Sequence, residues 1–260
     1  MLHVSSLSWK PNSKTKQILN DISILVSEGD LVVFVGANGS GKSSLLRSMS
    51  GWLKPTKGSI LLNHKSIQEY SSTEKAQWVG LLPQRMQLSE NISISEWLSY
   101  SRFRFSESHH KRKQRIAELL ENQKLAHLGS RSFHQLSGGE AQRILLLGLM
   151  AQESNIWLLD EPANHLDPRI QMEIYQKIIS QWQHGTTLIL ITHNINLLLR
   201  TVPDAQKNRV RIIGIQDGSI LFEEKLNSKN LVEQISNLYQ LPAQMVQVFG
   251  CSQIIFGIGT

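Results

Sequence analysis

The chain has 260 residues, enough to bury a substantial hydrophobic core in one large domain or in one domain with lobes. Hydrophobic residues make up 40% of the chain and charged residues 18%, a composition that excludes disordered and fibrous proteins. The single cysteine, Cys251, excludes an internal disulfide and favours a reducing, cytosolic setting. We expect Cys251 to be a small buried hydrophobe.

The charge distribution and the apolar runs indicate the cellular location that we expect for the protein. The first residues, Met1 to Ser6, lack the basic and apolar segments of a secretory signal, so export is not expected. The strongest apolar runs, residues 144–150 and 188–191, are far shorter than the roughly 20 residues that cross a bilayer. Any link to a membrane is therefore expected to come through a partner. The formal net charge is +6, and much of it lies in residues 109–115, which we interpret as a solvated helix start; an RNA-binding or lipid-binding patch is the alternative.

The first part of the chain contains predicted strands of two different sheets. Residues 22–26 and 59–62 are predicted strands of a smaller antiparallel sheet. Between them, the apolar run 31–35 is followed by a glycine-rich turn and then by residues 43–49, which have a helical pattern. The sequence therefore predicts a strand, a loop and a helix in direct succession.

The second part begins with a helix-rich stretch, residues 92–128, which predicts an inserted helical lobe. The unalternated apolar runs 156–159 and 187–191 are typical of strands buried on both faces of a parallel sheet. Residues 210–222 read as a hairpin around an Asp-Gly turn, and the residues after about 225 form a mixed tail whose structure the pattern leaves open. The predicted core is α/β.

The glycine-rich turn carries the first chemical signal. It reads Gly36-Ala37-Asn38-Gly39-Ser40-Gly41-Lys42-Ser43. In this pattern backbone N–H groups close around phosphates, Lys42 reaches the β- and γ-phosphates, and the Ser43 hydroxyl can hold Mg²⁺. The alternative is a glycine-rich turn with an exposed lysine. The position between a strand and a helix favours phosphate binding, and we predict that the nucleotide is ATP.

Two carboxylates follow the next predicted buried strand. Asp160 and Glu161 stand at its carboxyl end, where α/β sheets place ligand chemistry. Asp160 is predicted to hold the hydration sphere of Mg²⁺, and Glu161 to polarise the attacking water. A helix-capping pair is the alternative.

A third motif points to a family. Residues 136–143 read Leu-Ser-Gly-Gly-Glu-Ala-Gln-Arg, a Ser-Gly-Gly turn that opens the predicted helix 140–150 and makes a second anion-binding helix start. Alone, the motif could equally be an N-cap serine with flexible glycines. The segment resembles the signature motif of ATP-binding cassette (ABC) proteins, and it lies where that family has it, between the phosphate loop and the Asp-Glu pair.

The resemblance spans about residues 2–225 and implies a P-loop NTPase (RecA-like) core with an antiparallel β subdomain and an inserted helical subdomain. It implies a nucleotide-binding domain over residues 1–225, with the helical subdomain at about 86–155, and leaves 226–260 as a tail of unknown role. It also implies a head-to-tail dimer with a second copy, in which Ser137, Gly138 and Gly139 of one copy cover the γ-phosphate held by the other.

Further site residues follow from the resemblance. Gln84 matches the Q-loop residue that senses Mg²⁺ and water, and His193 matches the switch histidine that contacts the γ-phosphate. With Lys42 and Glu161 they make up the implied catalytic set, and Gln84 joins Ser43 and Asp160 as an implied metal-site residue.

Three positions carry weaker expectations. Ser44 stands where threonine is frequent after the phosphate-loop serine. Asp167 matches the acidic position of the D-loop, although a capped turn before Pro168 is the alternative. Trp9 is the candidate adenine-stacking residue, better placed than Tyr70 or Trp52, with a core tryptophan as the alternative.

The implied function is an ATP-hydrolysing subunit that drives a membrane permease from the cytoplasmic face of the inner membrane. Residues 94–102 and 193–197 resemble the importer group for iron siderophores, haem and vitamin B12, although Ser101 stands where that group has glycine. A substrate-binding protein is then an expected partner, and nucleic acid is not. The alternatives are another ABC importer or exporter, or a soluble ABC ATPase that acts on ribosomes or DNA.

Overall fold

The structure is a computed structural model and describes residues 1–12, 15–84 and 92–257. Within these ranges the chain forms twelve strands and eight α-helices. The strands are β1 (Leu2–Trp9), β2 (Leu19–Val26), β3 (Leu31–Val35), β4 (Lys57–Leu62), β5 (Lys65–Ser66), β6 (Val79–Leu82), β7 (Ile156–Asp160), β8 (Thr187–Ile191), β9 (Val210–Gln216), β10 (Ser219–Lys225), β11 (Ala243–Val248) and β12 (Cys251–Phe256). The helices are α1 (Lys42–Met49), α2 (Ser72–Trp78), α3 (Ile94–Tyr100), α4 (His109–Asn122), α5 (Gly138–Gln152), α6 (Pro168–Gln183), α7 (Ile195–Thr201) and α8 (Leu231–Tyr239).

The main sheet has six strands in the order β10-β9-β3-β8-β7-β6. All its strand pairs are parallel except β9 with β10. Every residue of β3, β7 and β8 is buried, because helices cover both faces of a parallel sheet. The prediction of an α/β core with these three buried strands is confirmed.

The smaller sheet is antiparallel, with strand order β2-β1-β4-β5. The predicted strands at 22–26 and 59–62 lie within β2 and β4, but the sequence pattern missed β1. The reason is local: Ser6 has a φ of 46°, and the register of β1 with β2 shifts between Val4 and Leu7. Such a bulge breaks the alternation of buried and exposed residues by which a strand is recognised.

The helical lobe, α3 to α5, has a hydrophobic core of its own, built around side chains such as Leu98, Ile116 and Ile144. Its predicted start, at about residue 86, lies outside the described residues, and the domain limits stay a prediction. The basic stretch forms the start of α4, where the Ser108 side chain accepts a hydrogen bond from the backbone N–H of Lys111. This part of the sequence prediction is confirmed.

The tail after residue 225 is ordered into α8 and the hairpin β11–β12. Leu231, Ile235 and Ile254 are buried in the same core as residues of β3, β8 and β9, so the tail packs against the main sheet. Cys251 is exposed at the start of β12, and the expectation of a buried cysteine was wrong. It lies beside the turn of a hairpin whose strands pair only with each other among the described residues, which leaves that end open to solvent.

The hairpin β9–β10 forms as predicted, with Asp217 and Gly218 at φ values of 48° and 78° in its turn. Within the described ranges, no helix is long and apolar enough to cross a membrane.

Candidate nucleotide-binding and catalytic site

Four neighbouring parallel strands bring the predicted site residues to one edge of the main sheet. β3, β8, β7 and β6 lie side by side in that order. The phosphate loop, residues 36–43, follows β3, and His193 lies two residues after β8. Glu161 directly follows β7, and Gln84 lies two residues after β6. Because the carboxyl ends of parallel strands meet at one edge, motifs far apart in sequence converge there.

The phosphate loop needs glycine at two positions where other backbone comes close. Gly36 has a φ of 150°, and a Cβ there would lie 2.2 Å from the carbonyl oxygen of Ile215. Gly41 has a φ of 102°, and a Cβ there would lie 2.9 Å from backbone just before β2. The β9–β10 turn adds a hydrogen bond of 3.0 Å from the Gly218 N–H to the Ser40 carbonyl oxygen. The loop is therefore held on two sides by other strands.

The Lys42 ammonium group lies at the centre of this loop. Its Nζ atom donates hydrogen bonds of 2.8 Å to the carbonyl oxygens of both Gly36 and Ala37, and the residue is only 5% exposed. Burial lowers the pKa of Lys42, while the carboxylates of Glu161 and Asp160 raise it. A desolvated ammonium group in a glycine-rich loop suits a phosphate, whose negative charge compensates for the hydration that the ammonium group has lost.

Asp160 has one carboxylate oxygen with an unmet hydrogen-bonding capacity. The residue is buried, and among the described residues no partner contacts its Oδ1 atom. Burial raises the pKa of Asp160, and a hydrogen bond from the Ser43 hydroxyl lowers it in part. An orphaned buried carboxylate oxygen next to a hydroxyl group fits a hydrated divalent cation, since hard cations prefer oxygen ligands.

The Glu161 carboxylate is held by three side chains. The His193 Nε2 atom lies 2.7 Å from its Oε1 atom. The Gln84 side-chain amide donates a hydrogen bond of 2.7 Å to Oε2, and the Asn164 amide donates one of 2.5 Å to the same oxygen. The structure thus brings together three residues, Gln84, Glu161 and His193, of which the first and the last are 109 positions apart in the sequence.

Asn164 is a site residue that sequence reasoning missed. It follows Glu161 by three positions, and a turn with a hydrogen bond of 3.2 Å from the Asn164 N–H to the Glu161 carbonyl oxygen folds it back. Glu161 has a φ of 51°, a left-handed conformation that costs a non-glycine residue about 1 kcal/mol. A turn-forming asparagine three residues after a candidate base was the signal that could have identified it.

A buried pair supports the segment that carries His193. The fully buried Tyr175 hydroxyl donates a hydrogen bond of 2.6 Å to the Thr192 hydroxyl oxygen, which also accepts one of 3.0 Å from the Asn194 N–H. Burial raises the pKa of Tyr175 well above its usual range. Neutral Tyr175 therefore fixes the backbone on both sides of His193.

The signature motif lies at the start of α5. Ser137 caps the helix, and its N–H and hydroxyl both donate hydrogen bonds of 2.8 Å to the Glu140 carboxylate. The N–H groups of Gly138 and Gly139 lie in the first turn, where helix geometry leaves them available for an anion. Among the described residues, no hydrogen bond joins Ser137 to the phosphate loop of the same chain.

Asp167 and Trp9 have local structural roles. The Asp167 carboxylate caps α6 by accepting two hydrogen bonds of 3.1 Å, so the capped turn before Pro168 is present. Trp9 is half-buried against the core between the two sheets. Its carbonyl oxygen accepts a hydrogen bond of 2.9 Å from the N–H of Ile18, which neighbours the phosphate loop. A D-loop contact of Asp167 and adenine stacking by Trp9 stay predictions.

Comparisons with known proteins agree with this geometry. Residues 19–164 match the family described as ABC transporter. The chain is 30% identical to the petrobactin import ATP-binding protein FpuD of Bacillus anthracis, over 80% of this chain and 76% of that protein. It is 32% identical to the hemin import ATP-binding protein HmuV of Pseudomonas aeruginosa, over 77% and 80% of the two chains.

This chain belongs to the ABC transporter family. A bacterial ABC transporter cassette solved as a dimer superimposes with a TM-score of 0.73 at 25% identity, covering 88% of this chain and all of that one. The chain is accordingly an ATP-binding cassette and an ATPase, with the P-loop NTPase fold that the motifs imply.

We expect Asn164→Ala to lower the kcat of this ABC ATPase about tenfold, because a hydrogen bond to a charged group contributes about 1.5–3 kcal/mol. The KM for ATP should stay within about twofold, since Asn164 contacts Glu161 rather than the phosphate loop. Steady-state hydrolysis assays would measure both constants. Asn230→Ala, at an exposed asparagine, is the matched control; an unchanged kcat in Asn164→Ala would show that the contact does not position Glu161.

Asp160→Asn should stabilise the fold at neutral pH by about 1 kcal/mol, the scale of an unsatisfied buried group, and raise the melting temperature by roughly 2–4 °C. Because burial raises the folded-state pKa of Asp160 above its unfolded value, the wild-type chain loses stability as pH rises through that interval. The difference between the two proteins should therefore vanish towards pH 3 and grow at higher pH. Thermal melts across pH would test this, and a variant less stable than wild type at pH 7 would contradict it.

Proposed function

We propose that this ABC ATPase powers the import of a metal chelate, such as an iron siderophore or haem. The observation that carries the proposal is the pair of relatives that import petrobactin and hemin, each at least 30% identical over about three quarters of both chains. The catalytic half of the proposal is supported by the Glu161 carboxylate, oriented by Gln84, Asn164 and His193 next to the phosphate loop.

Each site residue at this edge of the main sheet has a role in ATP hydrolysis. The backbone N–H groups of the phosphate loop and Lys42 hold the phosphates and stabilise their charge. Glu161 orients the attacking water and accepts its proton, while His193 contacts the γ-phosphate and keeps the carboxylate in place. Asp160 and Ser43 would hold Mg²⁺, which when bound neutralises charge on the β- and γ-phosphates. Gln84 couples the state of the nucleotide site to a partner subunit.

A second copy of the chain completes the site. In the signature turn, Ser137 and Gly138 are exposed at the start of α5, and Gly139 is half-buried there. Among the described residues, Ser137 makes no hydrogen bond to its own phosphate loop. A head-to-tail partner would bring this turn onto the γ-phosphate, where two free N–H groups and the helix dipole favour an anion. The dimeric form of the related cassette supports this arrangement. Two ATP molecules then lie between two copies.

The transport step needs membrane subunits. We infer that the chain attaches peripherally to a permease at the cytoplasmic face, and that a substrate-binding protein delivers the chelate. Ser101, where the chelate importers have glycine, ends α3 in an ordinary right-handed conformation with a φ of −61°. This departure therefore imposes no backbone strain, and the buried Arg102 that follows is paired with Glu107 and Glu153.

Glu161→Gln should reduce ATP hydrolysis at least about a hundredfold, because the amide cannot accept a proton from water. ATP binding should persist, and unhydrolysed ATP should hold two copies together. Light scattering after gel filtration with ATP and Mg²⁺ would show a dimer for the variant and a monomer without nucleotide. Glu223→Gln is the control, because it removes a carboxylate on β10, an edge strand of the main sheet. Undiminished turnover in Glu161→Gln would overturn the catalytic assignment.

Membrane vesicles that contain the chain with its permease, with the substrate-binding protein added outside, should take up a radiolabelled ferric hydroxamate or haem when ATP is present inside. The same vesicles with Glu161→Gln should take up neither, and a labelled disaccharide should be excluded by both. Uptake of the disaccharide alone would contradict a chelate importer while leaving the ATPase assignment intact. Recovery of the chain only with ribosomes would contradict transport altogether.

A further inference from the structure

The helix α6 lies in sequence between the two chain segments that carry Glu161 and His193, and it contacts both of them in the fold. It begins at Pro168, and β8 with the histidine follows it. Gln171 and Tyr175 are four positions apart on this helix, so their side chains lie on one face, one turn from each other. Each of these two side chains donates a hydrogen bond to one of the segments.

The first of these hydrogen bonds holds the turn that follows Glu161. The Gln171 side-chain amide donates a hydrogen bond of 3.2 Å to the Ala163 carbonyl oxygen, and Ala163 is buried. The same turn carries Asn164, whose side-chain amide donates the hydrogen bond of 2.5 Å to the Glu161 carboxylate. The backbone between the glutamate and the asparagine is therefore fixed to α6.

The second hydrogen bond holds the segment before His193. The Tyr175 hydroxyl donates a hydrogen bond of 2.6 Å to the Thr192 hydroxyl oxygen, and both residues are buried. Thr192 directly precedes His193, whose Nε2 atom lies 2.7 Å from the Glu161 Oε1 atom. One helix therefore holds the backbone next to each member of the Glu161–His193 pair.

The space between these two contacts is not filled by packed side chains. A cavity of about 50 Å³ lies beside Glu161 and His193, and Gln171, Tyr175 and Thr192 are among the residues that line it. A cavity of this size, with polar groups in its walls, has room for a water molecule. Close packing therefore does not fix the carboxylate from this side, and its position depends on the hydrogen bonds that hold the two backbone segments.

The helix can hold these segments because it is itself fixed on other sides. Ile174 and Ile178 are fully buried in a core that also contains residues of β7 and β8. On the side of α5, Glu173 forms an ion pair of 2.9 Å with Arg143. A displacement of α6 would disturb this core packing, which costs more free energy than the loss of one hydrogen bond.

We propose that α6 sets the position of the Glu161 carboxylate relative to His193. Gln171 holds the turn that follows the carboxylate, and Tyr175 holds the residue that precedes the histidine. Both are positioning residues, since each acts through backbone or a neighbouring side chain rather than on the reacting atoms. The inference rests on the proposed role of Glu161 in orienting the attacking water. Its consequence is that both contacts govern turnover and leave ATP affinity unchanged, because each hydrogen bond ends on a segment other than the phosphate loop.

Gln171→Met in the full chain tests the first contact, because methionine has a side chain of similar length that cannot donate a hydrogen bond. Steady-state assays should show a kcat about threefold to tenfold lower, the effect of one lost hydrogen bond. Titration calorimetry with Mg²⁺ and the non-hydrolysable β,γ-imido analogue of ATP should give a Kd within about twofold of wild type. Gln176→Met, at an exposed residue of the same helix, is the matched control and should leave kcat unchanged.

Tyr175→Phe tests the second contact, because phenylalanine keeps the buried ring and removes only the phenolic oxygen. We expect a similar loss of kcat with an unchanged Kd for the analogue. Tyr100→Phe, at an exposed tyrosine of α3, is the control. Wild-type kcat in both Gln171→Met and Tyr175→Phe, with only a lower melting temperature, would show that the two contacts merely stabilise the fold and would overturn the proposal.

The Glu161→Gln background provides a readout that a merely structural role would move in a different way. Since Gln171 acts through the Glu161 carboxylate, Gln171→Met should change the residual single-turnover rate of Glu161→Gln by less than about twofold. A further loss of threefold to tenfold in this background would mean that Gln171 acts by another route, and would contradict the proposal.

Glu161→Gln alone separates this inference from the function on which it rests. An undiminished rate in Glu161→Gln would reject the role of the glutamate, and with it the basis of the inference. A rate at least about a hundredfold lower in Glu161→Gln, together with wild-type kcat in Gln171→Met and Tyr175→Phe, would reject the role of α6 and keep the catalytic assignment.

Discussion

The side-by-side order of β3, β8, β7 and β6 is the constraint on which the site depends. Parallel pairing in register places the ends of these strands at one edge of the main sheet. The chain that leaves each strand therefore turns over the same small region, and the ring of contacts around Glu161 needs no further element to assemble it. A slip of two residues in any of these pairings would move a site residue by almost 7 Å along its strand, beyond hydrogen-bonding reach of its partners.

The site contains charged side chains that are buried, although burial is unfavourable for a charge. Lys42 and Asp160 are both almost inaccessible, and burial shifts the pKa of each towards its neutral form. Opposite charges at this edge offset part of that effect, but one buried oxygen of Asp160 has no hydrogen-bond partner in the part of the chain that the structure describes. Such an arrangement lowers the free energy of unfolding of the protein without ligand. The same buried ammonium and carboxylate groups can then interact strongly with a polyanion and its cation. The left-handed backbone of Glu161 belongs to the same pattern of local strain at a functional position.

Two parts of the chain outside this edge of the main sheet also bear on the site, the signature turn and the C-terminal tail. The signature turn at the start of α5 makes its hydrogen bonds between Ser137 and Glu140, and among the described residues none of them reaches the phosphate loop of the same chain. The tail, in contrast, packs against the main sheet and reaches α7 through the hydrogen bonds between Asn196 and Ile254.

The sequence by itself determined the chemistry of the site and the class of the fold. Spacing within a motif, such as Gly36 to Ser43 or Asp160 with Glu161, is short-range information that the chain order preserves. The unalternated strands could be recognised because burial on both faces removes polar residues. The sequence pattern did not reveal β1, whose bulge breaks its alternation. It also left the tail open, although Leu231, Ile235 and Leu238 of α8 are buried at helical spacing, because the surfaces that cover this face come from distant segments. Only the tertiary structure decided which groups meet across the fold: Asn196 with Ile254, Tyr175 with Thr192, and Gln84 with Glu161. Those contacts depend on packing between distant segments, which local residue patterns do not encode.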